Sequence, residues 1–231
     1  MPSGKTFAPI RGRRMRITRL DECGVPVVGA ASTRVSKGFV SVGMSPQYED
    51  ADAINVTNAA GEIDFNEPGD STLTGMQAEI AFTRVDPDLF SLITGQQTVV
   101  DGAAVATGLR LSGGVPDNLG GWALEVWSDL GGQACAGAKA YGYFLLPYLR
   151  GGTVGDFSIE NGAVSFTITS TTREGAGWDV GPYDVVNTAA AGEPIVAGPL
   201  LTPIGPKDHF HLDMVNIAPP AETAGLVALA A

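Results

Sequence analysis

One stretch near the middle of the chain constrains the architecture more than any other. Glu160-Asn161-Gly162-Ala163 contains the Asn-Gly pair that tolerates the positive φ of a tight primed turn. Beyond it, Val164, Phe166 and Ile168 alternate with Ser165, Thr167 and Thr169. A period of two places one set on each face of a strand, so residues 158–170 are expected to form a β-hairpin with one buried and one hydroxylated face. The surrounding segment, 141–186, reads as strand, loop, strand, turn, strand, loop, strand. Gly at 31 and Pro at 15 of 231 residues supply the turns that many short strands need. The expectation is a mainly β domain.

The rest of the chain carries the same pattern with one interruption. Residues 14–20 alternate Arg14, Arg16 and Arg19 with Met15 and Ile17, and Leu20 joins the apolar set after a slip. The arginines are expected to point outward, onto either a solvated strand face or a charged subunit interface. Residues 25–31 form a short strand that Pro26 marks as an edge, and 35–44 form another. Residues 47–57 continue as an acidic strand, Asn58-Ala59-Ala60-Gly61 turns the chain, and Glu62-Ile63-Asp64-Phe65 pairs back. Residues 73–85 are a long strand. Asp86-Pro87-Asp88-Leu89-Phe90-Ser91-Leu92-Ile93-Thr94-Gly95 is the one clear helix, with Asp86 as N-cap, Pro87 at the first helical position and Gly95 as the stop. Its stripe of Leu89, Phe90, Leu92 and Ile93 is expected to plug a sheet, because so short a helix is marginal alone. Trp122, Leu124 and Val126 alternate with Ala123, Glu125 and Trp127, which gives a strand with two unlike faces. Residues 134–149 form another long strand. Near the end, Phe210, Leu212 and Met214 alternate with His209, His211 and Asp213. The expected organisation is an N-terminal arm over 1–13 that only a neighbour orders, a β domain over 14–217 from which an acidic hairpin (48–70) projects, and a flexible Pro/Ala/Gly-rich tail over 218–231.

Charge narrows the function. The formal net charge is -11, unsuited to a general nucleic-acid binder, which needs Lys and Arg against phosphate. Residues 1–38 nevertheless hold eight basic residues and two acidic ones, a surplus of six positive charges, while the remainder carries 17 more acidic than basic residues. A basic arm on an acidic body suggests complementarity between copies. Hydrophobic residues make up 44% but charged ones only 17%, little for a free monomer's surface, so other subunits are expected to cover much of it. No apolar run approaches the roughly 20 residues of a membrane span, and the basic start lacks the apolar centre of a secretion signal.

Chemistry-bearing patterns are sparse. Glu49, Asp50, Asp52, Glu62, Asp64, Glu67 and Asp70 suggest a calcium site, but the spacing lacks the Gly and terminal Glu of a calcium loop, so an exposed charged hairpin is expected. His209, His211 and Asp213 share a strand face as zinc ligands would, without a recognisable fourth ligand. No cofactor and no metal is expected. Cys23 and Cys135 read as small buried residues, with one disulfide the alternative. There is no serine nucleophile elbow, phosphate loop or Cys-x-x-Cys pair, and an enzyme is not expected.

Several stretches, in order, resemble the major tail (tail tube) proteins of long-tailed phages of actinobacteria. They are Asn58-Ala59-Ala60-Gly61-Glu62-Ile63, the run from Glu79-Ile80-Ala81-Phe82-Thr83-Arg84-Val85 through Asp86-Pro87-Asp88-Leu89-Phe90-Ser91-Leu92-Ile93-Thr94-Gly95, Leu124-Glu125-Val126-Trp127-Ser128, Trp178-Asp179-Val180-Gly181-Pro182-Tyr183-Asp184-Val185, His209-Phe210-His211-Leu212 and Pro219-Pro220-Ala221. Together they reach from about residue 15 to 222. These are packing and turn motifs whose order carries the likeness, and the arginine density of 11–19 departs from it. The resemblance implies a β-sandwich or barrel of the tail tube type with one short flanking helix, contributing strands to a ring-shaped barrel. It implies hexameric rings stacked into a tube in the virion, with the tail terminator, baseplate or distal tail proteins and tape measure protein as partners. DNA would pass through without specific binding, and no catalytic residue is carried over. Six copies giving four strands each would close a sheet of about 24 strands, about 50 Å across at about 4.8 Å spacing and about 40° tilt. The bore, about 40 Å, would pass a duplex of about 20 Å, and an acidic wall would repel phosphate. At the subunit interface, Arg11, Arg13, Arg14, Arg16 and Arg19 are expected to meet Asp50, Asp52 and Glu62 of a neighbour through bidentate pairs. Two alternatives are a carbohydrate-binding β-sandwich module, which needs exposed aromatics on one face, and a hydrolase with paired carboxylates.

Overall fold

The computed structural model describes residues 6–115, 120–132, 139–157, 165–175, 177–190 and 193–230. The first strands are β1 (Pro9–Leu20), β2 (Gly29–Ser36) and β3 (Phe39–Asp50). The short pair β4 (Ile54–Thr57) and β5 (Ile63–Glu67) follows, then β6 (Ser71–Phe82) and the helix α1 (Pro87–Thr94). After the small hairpin β7 (Gln97–Val100) and β8 (Ala106–Arg110) come the central strands β9 (Gly121–Leu130), β10 (Tyr141–Val154) and β11 (Phe166–Thr172). β12 (Val186–Asn187), β13 (Ala197–Gly198), β14 (His211–Val215) and β15 (Val227–Leu229) complete the chain. The protein is mainly β, 53% strand with one helix, consistent with a β-sandwich; no closed barrel is found among the described residues.

Nine strands share one antiparallel sheet in the order β15-β2-β1-β9-β10-β11-β6-β3, with β14 also on β10. The 14-residue β10 makes this possible. One of its edges pairs with β9, and the other is divided between β14, opposite residues 141–145, and β11, opposite 149–154. The register on β9 shifts between Leu146 and Leu149, around Pro147, whose missing N–H cannot join a ladder.

The alternation along β9 resolves into two cores. Trp122, Leu124 and Val126 face a cluster shared with Met15, Ile17, Ile80, Phe82 and the helix residues Leu89, Phe90 and Ile93. Ala123 and Trp127 face a second cluster with Tyr143, Leu145, Trp178, Val185, Leu200 and Ile204. Every residue of β9 is buried because one face meets the first cluster, with the helix, while Trp178, Val185, Leu200 and Ile204 pack over the other. The unlike faces expected from the sequence are thus both interior. This also corrects the slip expected in β1: its register is unbroken from Arg14 to Leu20, and Leu20 lies in the second cluster, opposite Met15 and Ile17.

The helix follows its sequence signals. Asp86 Oδ1 accepts from Leu89 N at 3.2 Å, and Gly95 ends the helix at φ 69, a left-handed conformation that a side chain disfavours. Leu89, Phe90 and Ile93 are buried, but Leu92, expected among them, is half-buried at the cluster's margin.

Other expectations are displaced. The strand expected over 25–31 begins at Gly29, and the one over 35–44 is divided, since β2 ends at Ser36 and β3 starts at Phe39. The acidic strand over 47–57 is interrupted between Asp50 and Ile54. Val99 and Val100 lie in β7. The first strand and the turn of the hairpin expected over 158–170 lie outside the described residues; β11, within it, pairs antiparallel to β10. Ile168 is buried as expected; Ser170 and Thr172 share its face by parity, and their burial is tolerated because Ser170 Oγ donates to Gly151 O at 2.6 Å and Thr172 Oγ1 accepts from Met76 N at 2.8 Å.

Among the described residues, segments near both ends are paired where freedom was expected. β1 begins at Pro9, and Pro9, Arg11 and Gly12 pair with Leu130, Asp129 and Ser128, so this part of the arm is ordered without a neighbour. The tail expected to be free runs beside β2. Arg34 Nη1 donates to Thr223 O and Gly225 O, β15 pairs with β2, and Leu229 is buried.

Candidate functional site

The most conspicuous surface is the acidic arm between β3 and β6. Residues 45–68 are exposed throughout. Asn58 organises its tip: Asn58 Oδ1 accepts from Ala60 N at 2.9 Å and Glu62 N at 3.0 Å, as Asn side chains do in turns. β4 and β5 pair with Ile54 opposite Glu67 and Val56 opposite Phe65. Ile54, Val56, Ile63 and Phe65 are 48–65% exposed. A two-stranded ribbon is marginal in water, so this apolar face lacks a cover in the single chain. Of the carboxylates, Glu49 and Asp50 end β3, Asp64 and Glu67 lie on β5, and Asp52, Glu62 and Asp70 lie in the connections. Among the described residues no group of three His, Cys, Asp or Glu side chains is placed to hold a metal.

The five arginines expected at a subunit interface divide. Arg11 is exposed. Arg13 lies 3.3 Å from Asp129, which Lys139 also approaches at 3.4 Å. Arg14 and Arg19 are half-buried. Arg16 corrects the expectation that the set faces outward. It is 6% exposed, and its Nε and Nη2 each donate to Glu125 at 2.5 Å. Its guanidinium stacks 3.2 Å from the Tyr183 ring centre and 5.0 Å from that of Trp127. The alternation that suggested a solvated face is the same alternation that a doubly buried strand shows, and Arg16 and Thr18 point into the second core. Arg16 is therefore committed within its own chain. Asp50, Asp52 and Glu62 remain on the exposed arm, where Asp50 accepts from Ser71 Oγ and Glu62 from Asn58 Nδ2 at 3.2 Å. Among the described residues, none of the three carboxylates forms an ion pair with an arginine of 11–19 in the same chain.

Glu125 was not foreseen as a partner, although an acid within Trp122-Ala123-Leu124-Glu125-Val126-Trp127 is the signal that could have found it. A fully buried carboxylate needs charge and hydrogen bonds to offset its desolvation. Arg16 supplies the charge, and Tyr143 Oη donates to Glu125 Oε1 at 2.7 Å. Burial raises the Tyr143 pKa well above the usual phenol range, and the Glu125 charge raises it further. Burial also raises that of Tyr183, against the opposing Arg16 charge. Burial alone would lower the Arg16 pKa, but the Glu125 carboxylate outweighs it and the value is raised. Tyr183 Oη lies 2.9 Å from Thr18 Oγ1 and 2.7 Å from Thr33 Oγ1, so the network ties the covering segment to β1 and β2.

The His-x-His-x-Asp face is inverted relative to expectation. His209 is buried with Nδ1 2.8 Å from Thr172 Oγ1, and the His211 ring meets Tyr143 edge-on, while Phe210 and Leu212 are the exposed set. The His211 imidazole meets Tyr143 of the second core because β10, which places His211 opposite Leu145, sets the parity of β14. Cys23 is exposed and carries a free thiol, not the buried one expected, and Cys135 lies outside the described residues. Among the described residues no helix is long and apolar enough to cross a membrane. No protein-family model matches the chain, and no curated protein matches it in sequence.

Proposed function

We propose that this chain is a structural virion protein that polymerises as stacked hexameric rings into the tail tube of a long-tailed phage. The observation that carries the reading is the arm. Residues 45–68 are exposed in the isolated chain, yet Ile54, Val56, Ile63 and Phe65 are apolar. A surface of this kind marks a site that another protein covers. The order of the motifs from about residue 15 to 222 supports the same reading, as does the acidic balance of the body, which keeps DNA sliding through a conduit without sticking. Neighbouring copies, the tail terminator, the baseplate or distal tail proteins and the tape measure protein are the partners on this reading. Negative-stain microscopy of the purified chain tests it. Rings or tubes of constant diameter are expected; dispersed monomers at high protein concentration across a range of salt would overturn it.

A further inference from the structure

The sheet leaves a seam. Among the described residues β3 pairs with β6 alone, so its other edge is open, and β1 beyond Met15 toward Pro9 pairs with β9 but not with β2. The curl of the sheet brings these two unpaired edges together. A Cβ on Gly12 would lie 2.7 Å from the Phe39 ring, so only glycine lets Phe39 lie across β1 at this point. Between the edges runs a groove of about 590 Å³, bounded by Ile10 and Arg11 of β1 and Val40 and Val42 of β3, with Val126 and Phe144 in its lining. Open strand edges expose backbone N–H and C=O groups that accept an added strand, and an apolar floor gives alternate side chains a place to enter.

We infer that this seam receives the acidic arm of a second copy, with Val56 and Phe65 in the groove and an outer strand of the arm hydrogen-bonded along the free edge of β3. Three observations select this occupant. The arm carries its own apolar face, with Val56 and Phe65 as a cross-strand pair. It is flanked by Asp52, Glu62, Asp64 and Glu67, whereas the groove has Arg11 at its rim and Arg14 further along β1. The arm does not fill the groove of its own chain, since its residues are exposed throughout while β3 continues from the groove directly into the arm. The contact joins two different surfaces of the molecule, so each copy can both give an arm and receive one, as a head-to-tail assembly requires. The inference rests on the proposed self-assembly and names the surfaces that make one of its contacts.

Cysteine cross-linking in the full chain tests it. Val40→Cys on the groove and Val56→Cys on the arm are placed in separate chains, each with Cys23→Ser and Cys135→Ser, and the two are mixed under mild oxidation. A disulfide-linked pair containing one copy of each is expected, in at least severalfold excess over the pairs that either variant forms alone. Val56→Asp/Phe65→Asp, which alters exposed positions only, is expected to keep the circular dichroism spectrum of the parent and to abolish the mixed pair when introduced with a cysteine at Thr57. Particles that assemble without a mixed pair would overturn this contact and leave self-assembly standing. A chain that sediments as a monomer at every concentration, with no mixed pair, would overturn both.

Discussion

At the scale of single residues, Arg16 shows how one pattern admits two readings. Alternating arginines at 14 and 16 look alike in sequence, yet Arg16 lies against Glu125, Trp127 and Tyr183, and what separates them is the cover that Tyr183 and its neighbours place over Arg16. Removing one partner leaves a charge buried without its counterion. Glu125→Ala is expected to cost about 3–5 kcal/mol, read as a lower urea midpoint at unchanged slope. Arg16→Met/Glu125→Leu, which removes both charges, is expected to recover most of that loss; a double variant no more stable than the single one would show that the pair is not the cause. Tyr143 adds a pH signature. It ionises near pH 10 in the unfolded chain, as tyrosines do, and only well above that when folded. Between those values the folded chain holds more protons, so its stability falls as pH rises past about 10. Tyr143→Phe is expected to make that alkaline fall shallower while lowering the neutral-pH stability by about 1.5–3 kcal/mol, because Glu125 loses a donor. Urea midpoints between neutral pH and pH 11 check both effects, and an unchanged alkaline slope would remove Tyr143 from the account.

At the scale of elements, local signals held where the chain answers to itself. Asp86, Pro87 and Gly95 act on α1 within a few residues, and the structure places each in the role its chemistry suits. How deeply each face is buried depends on neighbours distant in sequence, so Leu92 stops at the margin of the core while Leu89 is enclosed. Leu89→Ala is therefore expected to cost about 2–5 kcal/mol, the range for emptying a packed leucine site. Leu92→Ala, whose side chain is only partly enclosed, is expected to cost less than half of that. Equal losses in the two denaturation curves would mean that the helix sits deeper than its exposure indicates. The acidic hairpin expected over 48–70 corresponds to an arm exposed over 45–68, because a run of carboxylates cannot enter a core unpaired. The tail differs: its Pro/Ala/Gly composition suggests freedom, but Arg34 reaches the carbonyls of Thr223 and Gly225, Lys37 pairs with Glu222, Thr223 N donates to Val35 O, and β15 pairs with β2.

At the scale of the whole molecule, the charge asymmetry acts between copies. Arg11, Arg13 and Arg14 remain at the surface or half-buried, while Arg16 is held within the chain, so the substitution that tests an intersubunit role is Arg11, Arg13 and Arg14→Gln. A single exposed pair contributes about 0.2–1 kcal/mol, but repetition through an assembly multiplies the attachment. The triple variant is expected to assemble more weakly at low salt and to lose less on adding salt, because the pairs that salt screens are already gone. Light scattering at low and high salt reads both; normal assembly with altered DNA passage would place these arginines on the lumen instead.

The sequence by itself determined what nearest-neighbour stereochemistry decides: period-2 strands, the capped helix at 86–95, the Asn58 turn, and a carboxylate-rich arm that must stand in water. Those features depend on φ preferences, side-chain alternation and the cost of burying charge, all of which act over a few residues. The tertiary structure alone decided which alternating strands are buried on both faces, because that requires β9 to lie between the first cluster on one side and Trp178, Val185, Leu200 and Ile204 on the other. It also decided that Arg16 finds Glu125 across 109 residues, that His209 turns inward to Thr172, and that two free edges meet over a groove. Each of these depends on which distant segment comes to lie against a given face, and period-2 alternation, which repeats along every strand, says nothing about the identity of that neighbour.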